Sequence, residues 1–282
     1  MHIAIDDDVT LFGAVLGTGV PLVVLHGGPG LDHTYLRPWL DPLSRGAQLI
    51  YFDQREQGRS RANTPQALTR NLWIDDIERL RLALGLDDMV LFGHSYGGFL
   101  GLEYARRYPD RLRGLILCCT AAKVDFVAAM GNAQARASAE QFEALVQGFG
   151  TSVATDEALA ALWTRILPVY FHRFSERARR AFDSVSYSAA ASNFGVLHDI
   201  PAFDATEWLG QIRTRTLVLA GDHDWVMPPH TGAAALHRAL PQSEVVRFRD
   251  SGHFPFIEEP DTFIDVVASW LGSLPRRSGP ET

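Results

Sequence analysis

Gly93-His94-Ser95-Tyr96-Gly97-Gly98 is the stretch whose reading decides the fold. It fits G-x-S-x-G. An apolar run, Met89-Val90-Leu91-Phe92, precedes it, and a segment of helical patterning over 99–108 follows, stopped by Pro109. Strand, tight turn and helix form the setting in which a serine hydroxyl projects clear of the backbone as a nucleophile. Glycines two residues to either side of Ser95 let strand and helix approach without a Cβ clash. The helix that follows aims its positive end at the site, where it favours an oxyanion. Ser95 is therefore the candidate nucleophile, against the plainer reading of a Gly-rich βα turn.

Outward from this turn the same rhythm repeats. Apolar runs over 11–16, 21–25, 48–52, 112–119, 216–220 and 244–248 read as strands. Helical patterns fall over 35–43, 71–84, 232–240 and 261–271, with a shorter one at 208–212. The best of them is 71–84, where Leu72, Ile77, Leu80 and Leu84 share a face and Gly85 follows as a cap. Alternation of this kind predicts a mostly parallel sheet with crossover helices. It lapses over 123–203. There 130–149, 156–171 and 176–190 read as successive helices rich in Ala and aromatics, so the middle third looks inserted into a regular α/β unit. The tail over 275–282 is polar, with the composition of a mobile end.

Composition narrows the function. The 282 residues are 46% hydrophobic and 21% charged, a globular balance that excludes disorder, collagen and coiled coil. Thirty-three acids against 26 bases leave a net charge of −7, without the basic stripe of a nucleic-acid binder. No apolar run approaches the 18 or so residues of a membrane span. The acidic start, Met-His-Ile-Ala-Ile-Asp-Asp-Asp, has no secretory h-region, which predicts a cytoplasmic protein. The two cysteines, Cys118 and Cys119, are adjacent. On a strand they would face opposite sides, which reads as two core thiols and no disulfide framework.

A serine nucleophile needs a histidine base held by a carboxylate, here in the chain order Ser, acid, His. Among ten histidines, His253 in Asp250-Ser251-Gly252-His253 lies after the last strand and before the last helix, at the edge where such a base must stand. Gly221-Asp222-His223-Asp224 follows strand 216–220. Both acids qualify by position, and Asp224, further out along the loop, is preferred. His26-Gly27-Gly28-Pro29-Gly30 follows an early strand and matches no phosphate-binding pattern. It reads as an oxyanion loop, with the amides of Gly28 and Tyr96 as the two donors. No His-Glu-x-x-His or similar spacing suggests a metal.

Together His26–Gly30, Asp53-Gln54-Arg55, the Ser95 motif, Gly221-x-x-Asp224 and Ser251-Gly252-His253 resemble the α/β-hydrolase superfamily. Within it, HGGPG, DQR and GHSYGG are most similar to the proline iminopeptidase group of serine peptidases. The resemblance covers about 10–122 and 205–272. It implies an α/β-hydrolase fold with a mostly parallel eight-stranded sheet. It also implies a core of 1–122 and 205–282, an inserted helical cap over 123–204, a Ser95–Asp224–His253 triad, no cofactor, and a small-molecule or short-peptide substrate. An esterase or acyl-amide hydrolase on an uncharged apolar substrate is the alternative; a non-catalytic binding module is a third. Trp163, Tyr170, Phe171, Phe174, Phe182 and Phe194 are candidates for the pocket or for the cap's own core. Two positions depart from the family pattern. Glu56 stands where a glycine is usual, either as a solvated loop residue or as a carboxylate near the cleft. In a rough alignment, Asn193 falls where these peptidases carry an ammonium-binding glutamate, and 187–198 contains no acid at all.

Overall fold

The computed structural model describes residues 1–64 and 66–275, so the tail from 276 onward lies outside the described residues. Among the described residues nine strands form one sheet. These are β1 (His2–Ala4), β2 (Val9–Leu16), β3 (Val20–Leu25), β4 (Ala47–Phe52), β5 (Arg61–Ala62), β6 (Met89–His94), β7 (Leu112–Cys118), β8 (Thr216–Gly221) and β9 (Ser243–Phe248). Eight of them run in the order β1-β2-β4-β3-β6-β7-β8-β9, and the two-residue β5 pairs with β2 off that path. From β4 through β9 every pairing is parallel, while β2 lies antiparallel to β1, β4 and β5.

The pleat sorts the core into two layers. Leu22 and Val24 join the cluster on one face of the sheet, Val23 and Leu25 the cluster on the other. The cysteines do not follow that rule. β7 ends at Cys118, and Cys119 turns off it at φ +49°, so both free thiols are buried in the same layer.

Helices Arg70–Ala83 and Tyr96–Arg107 cross over between the parallel strands. The first starts where the Thr69 hydroxyl accepts from Leu72 N–H and ends before Gly85 at φ +65°. The expected helix over 35–43 is two 3₁₀ turns, His33–Leu36 and Asp41–Arg45, because Arg37 precedes a proline and is held extended.

Between β7 and β8 the chain is helical and more broken than its composition suggests. The expected 130–149 helix is Phe126–Gln134 followed by Ala139–Gly150. Ser138 starts the second with a capping box to Gln141. Asp156–Ile166 gives way to a 3₁₀ turn, Leu167–Tyr170, at Pro168. Helix stops at Arg180 and resumes only at Ala189–Phe194, which widens into a π turn over Gly195–Asp199. Among the described residues no helix is long and apolar enough to cross a membrane.

Candidate active site

Ser95 sits between β6 and helix Tyr96–Arg107 at φ +54° and ψ −120°, a conformation a non-glycine residue holds only where its surroundings force it. Its N–H donates to Cys118 O at 2.9 Å and its carbonyl accepts from Gly98 N–H at 2.9 Å. The flanking glycines are steric necessities. A Cβ on Gly93 would lie 2.5 Å from Gly97 O, and one on Gly97 would lie 2.3 Å from Leu25 O. The Ser95 hydroxyl has no hydrogen-bond partner among the described residues and faces a cavity that His253 also lines.

His253 Nδ1 is 2.7 Å from Asp224 Oδ2, with both residues buried. The other Asp224 oxygen accepts from Val226 N–H at 2.9 Å and Met227 N–H at 3.1 Å. Nδ1 is thereby committed as donor, and Nε2 is left as the acceptor. Asp222, the rival by position, turns to the surface and accepts from Arg247 Nε at 2.6 Å. His253 N–H donates to Tyr170 O at 2.7 Å, which ties the histidine loop to the inserted helices.

Gly28 adopts φ +51°, where a Cβ would lie 2.6 Å from Leu31 Cδ1. Its amide, and that of Tyr96 at the first turn of its helix, have no acceptor among the described residues. Two free N–H groups thus flank Ser95. The Tyr96 phenol donates to Asp199 Oδ2 at 2.7 Å, an atom that Arg70 Nε also reaches at 3.0 Å.

A buried chain of hydrogen bonds joins the three loops. Gly27 N–H donates to Tyr35 Oη at 2.6 Å, and Tyr35 O–H therefore donates onward to His94 Nδ1 at 2.8 Å. His94 Nε2–H then donates to His253 O at 2.9 Å. Burial, reinforced by His253 nearby, holds the His94 ring well below the usual imidazole range, so it stays neutral and keeps this direction. The sequence places His94 beside Ser95 in the G-x-S-x-G stretch and gives no sign of these partners. Its role shows only once the partners are in place.

The Asp-Gln-Arg motif and Gln57 brace the His26–Gly30 loop. Gln54 N–H donates to His26 Nε2 at 3.1 Å and its side chain donates to His26 O at 2.8 Å. Gln57 Oε1 takes the Gly30 N–H at 2.6 Å. Arg55 holds Asp76 through two bonds of 2.6 and 2.8 Å, with both side chains buried. Arg55→Ala leaves that carboxylate buried beside only the half-exposed Arg79, and is expected to cost about 3–5 kcal/mol of stability, read as a drop in the urea midpoint.

The cavity, about 830 Å³ including its open mouth, is walled on the insert side by Phe126, Phe149, Leu159, Leu162, Trp163 and Ile166. Among the described residues no Asp, Glu, Lys or Arg lines it. Both departures from the family pattern lie elsewhere. Glu56, at φ +60°, accepts from Ala62 N–H at 2.8 Å and secures β5. Asn193 bonds to both the N–H and the carbonyl of Val153, at 2.8 and 2.9 Å. Of the aromatic candidates, Trp163 and Tyr170 line the cavity, Phe171 and Phe182 are buried in the core, Phe194 packs edge-on against Trp73, and Phe174 is exposed.

Cys119, Asp224 and His253 offer ligand atoms within 4.8 Å of one another, a spacing that suits a metal. The atoms do not. Asp224 and His253 are already bonded to each other, and burial pushes the Cys119 thiol well up, so it stays a neutral, weak ligand.

Comparison with known proteins agrees with this geometry. The α/β hydrolase fold family model matches residues 20–260. A proline iminopeptidase of Saccharolobus solfataricus is 28% identical over 273 residues, spanning 92% of this chain and 87% of that protein. The proline iminopeptidase of Clostridioides difficile is 29% identical over 267 residues, 90% of each. A thermophilic esterase from Thermogutta terrifontis superposes with a TM-score of 0.72 at 27% identity, covering 97% of this chain and 98% of that one. With a serine at a strained strand–helix turn and a family match over most of its length, this hydrolase belongs to the α/β hydrolase fold family.

Proposed function

We propose that this chain cleaves an ester or amide with an uncharged, apolar acyl group through an acyl-enzyme on Ser95. His253 Nε2 takes the Ser95 proton as Oγ attacks the carbonyl carbon. The amides of Gly28 and Tyr96 hold the oxyanion. The imidazolium returns its proton to the leaving oxygen or nitrogen as that bond breaks. Water, deprotonated by the same histidine, then releases the acid and restores the serine. Asp224 keeps the proton on Nδ1 and stabilises the charged ring. No step needs a cofactor. The segment 123–204 acts as a cap that closes the cavity over the core of 1–122 and 205–282. The buried free thiols fit the reducing cytoplasm.

The observation that carries the acyl preference is the cavity lining, which among the described residues holds no Asp, Glu, Lys or Arg. A substrate ammonium buried there would have no carboxylate to meet it, a cost of several kcal/mol. The aminopeptidase reading is the second, favoured by the relatives named proline iminopeptidase. A matched pair decides between them: prolyl p-nitroanilide and its carbocyclic isostere, cyclopentanecarbonyl p-nitroanilide. We expect kcat/KM for the neutral isostere to be higher by about 100-fold, since each 1.4 kcal/mol of uncompensated charge is worth tenfold. A preference for the prolyl compound would establish the peptidase reading instead.

A further inference from the structure

Tyr170 ends the 3₁₀ turn Leu167–Tyr170, is only 5% exposed, and lines the cavity together with Ser95 and His253. Its ring stands edge-on to the His253 imidazole, with centroids 5.6 Å apart, and lies 5.3 Å from the Trp163 ring. Its carbonyl accepts the His253 N–H, so the main chain fixes where the phenol stands relative to the candidate base. The hydroxyl itself finds no hydrogen-bond partner among the described residues. Nor is it sealed away, as the unpartnered Thr120 Oγ1 and Trp225 Nε1 are. A hydroxyl held in an apolar wall without a partner costs stability, and phenylalanine would fill the same space without that cost. Burial, with the charge of Asp224 nearby, pushes the phenol up, so it is a donor throughout the neutral range.

We propose that Tyr170 is a specificity residue whose phenol O–H donates a hydrogen bond to a neutral acceptor oxygen, a carbonyl or ether, on an otherwise apolar ester or amide substrate. The proposal rests on the hydrolase reading above and sharpens it from an uncharged hydrocarbon chain to an oxygenated one. A carboxylate is the wrong acceptor. Among the described residues no Lys or Arg lines the cavity to neutralise it, and Asp224 adds a repelling charge. A neutral oxygen answers the phenol without burying a charge. A site built to donate such a bond rejects the analogue that lacks the acceptor, because its own polar group is then left unpaired.

The test uses p-nitrophenyl alkanoates in which one chain methylene at a time is replaced by an ether oxygen, each paired with its all-carbon counterpart. kcat/KM is measured for the intact enzyme and for Tyr170→Phe. The intact enzyme is expected to favour the ether at one chain position. Tyr170→Phe is expected to lower that ether-to-alkyl ratio by about tenfold, with the all-carbon ester normalising for any general change in turnover. The all-carbon ester is the internal control for folding. A ratio unchanged at every position, or ether and alkyl esters slowed alike, overturns the proposal. Loss of fluorophosphonate labelling at Ser95 in the intact enzyme is a different failure: it removes the hydrolase reading, and this inference with it.

Discussion

Ser95→Ala lowers kcat by roughly five to six orders of magnitude, leaving only the residual rate supplied by substrate binding and the two free amides. The expectation follows from the turn. Ser95 holds a strained backbone conformation, lines the cavity, and its hydroxyl bonds to no group among the described residues. Removing it therefore takes away the attacking atom and almost nothing else. The urea midpoint should hold while turnover and fluorophosphonate labelling both vanish. Retained turnover on p-nitrophenyl esters would place the nucleophile elsewhere.

Asp224→Asn comes second, with an expected loss in kcat of about four orders of magnitude. The reason lies in the two amides of Val226 and Met227, which require an acceptor at Oδ1. An asparagine must keep its carbonyl oxygen there. Its NH₂ then faces His253 Nδ1, which turns from donor to acceptor, and the single ring proton moves to Nε2. A ring protonated toward Ser95 is no base. Asp222→Asn provides the contrast. It breaks a contact with a half-exposed Arg247, worth less than about 1 kcal/mol, and should leave kcat unchanged. Parallel kinetics of the two variants at pH 7.5 read the difference. Equal loss in both would remove Asp224 from its assigned place.

Which parts of this were legible in the chain follows from how local the cause is. The Ser95 turn is local: two glycines, a strand before and a helix after. It was read at its position, although the helix begins at Tyr96 rather than 99. The place of His253 after the last strand is legible in the same way, while its contact with Asp224 is not. Asp222 and Asp224 were harder to separate, since one loop carries both and only the direction of each side chain divides them. Some local signals outweigh composition. Ser138 and Gln141 spell a capping box, and Pro168 ends a helix, yet composition alone suggested continuous helices across both. Other features had no local signal. β1 is three residues long, and its pairing with β2 is what makes it a strand. The alternation rule for Cys118 and Cys119 fails because the strand stops between them. Glu56 and Asn193 invited a search for substrate contacts, but each satisfies backbone groups of a neighbouring segment that no spacing rule brings together.

Tyr96 sets a limit on redesign. Its main chain directly follows Ser95, while its phenol is anchored to Asp199 on the π turn of the insert and, through Asp199, to Arg70. Widening the enzyme toward bulkier acids by rebuilding that stretch would loosen the donor geometry along with the wall. Phe149 and Leu162 line the same cavity without a bond to Asp199, so room made there leaves that tether in place.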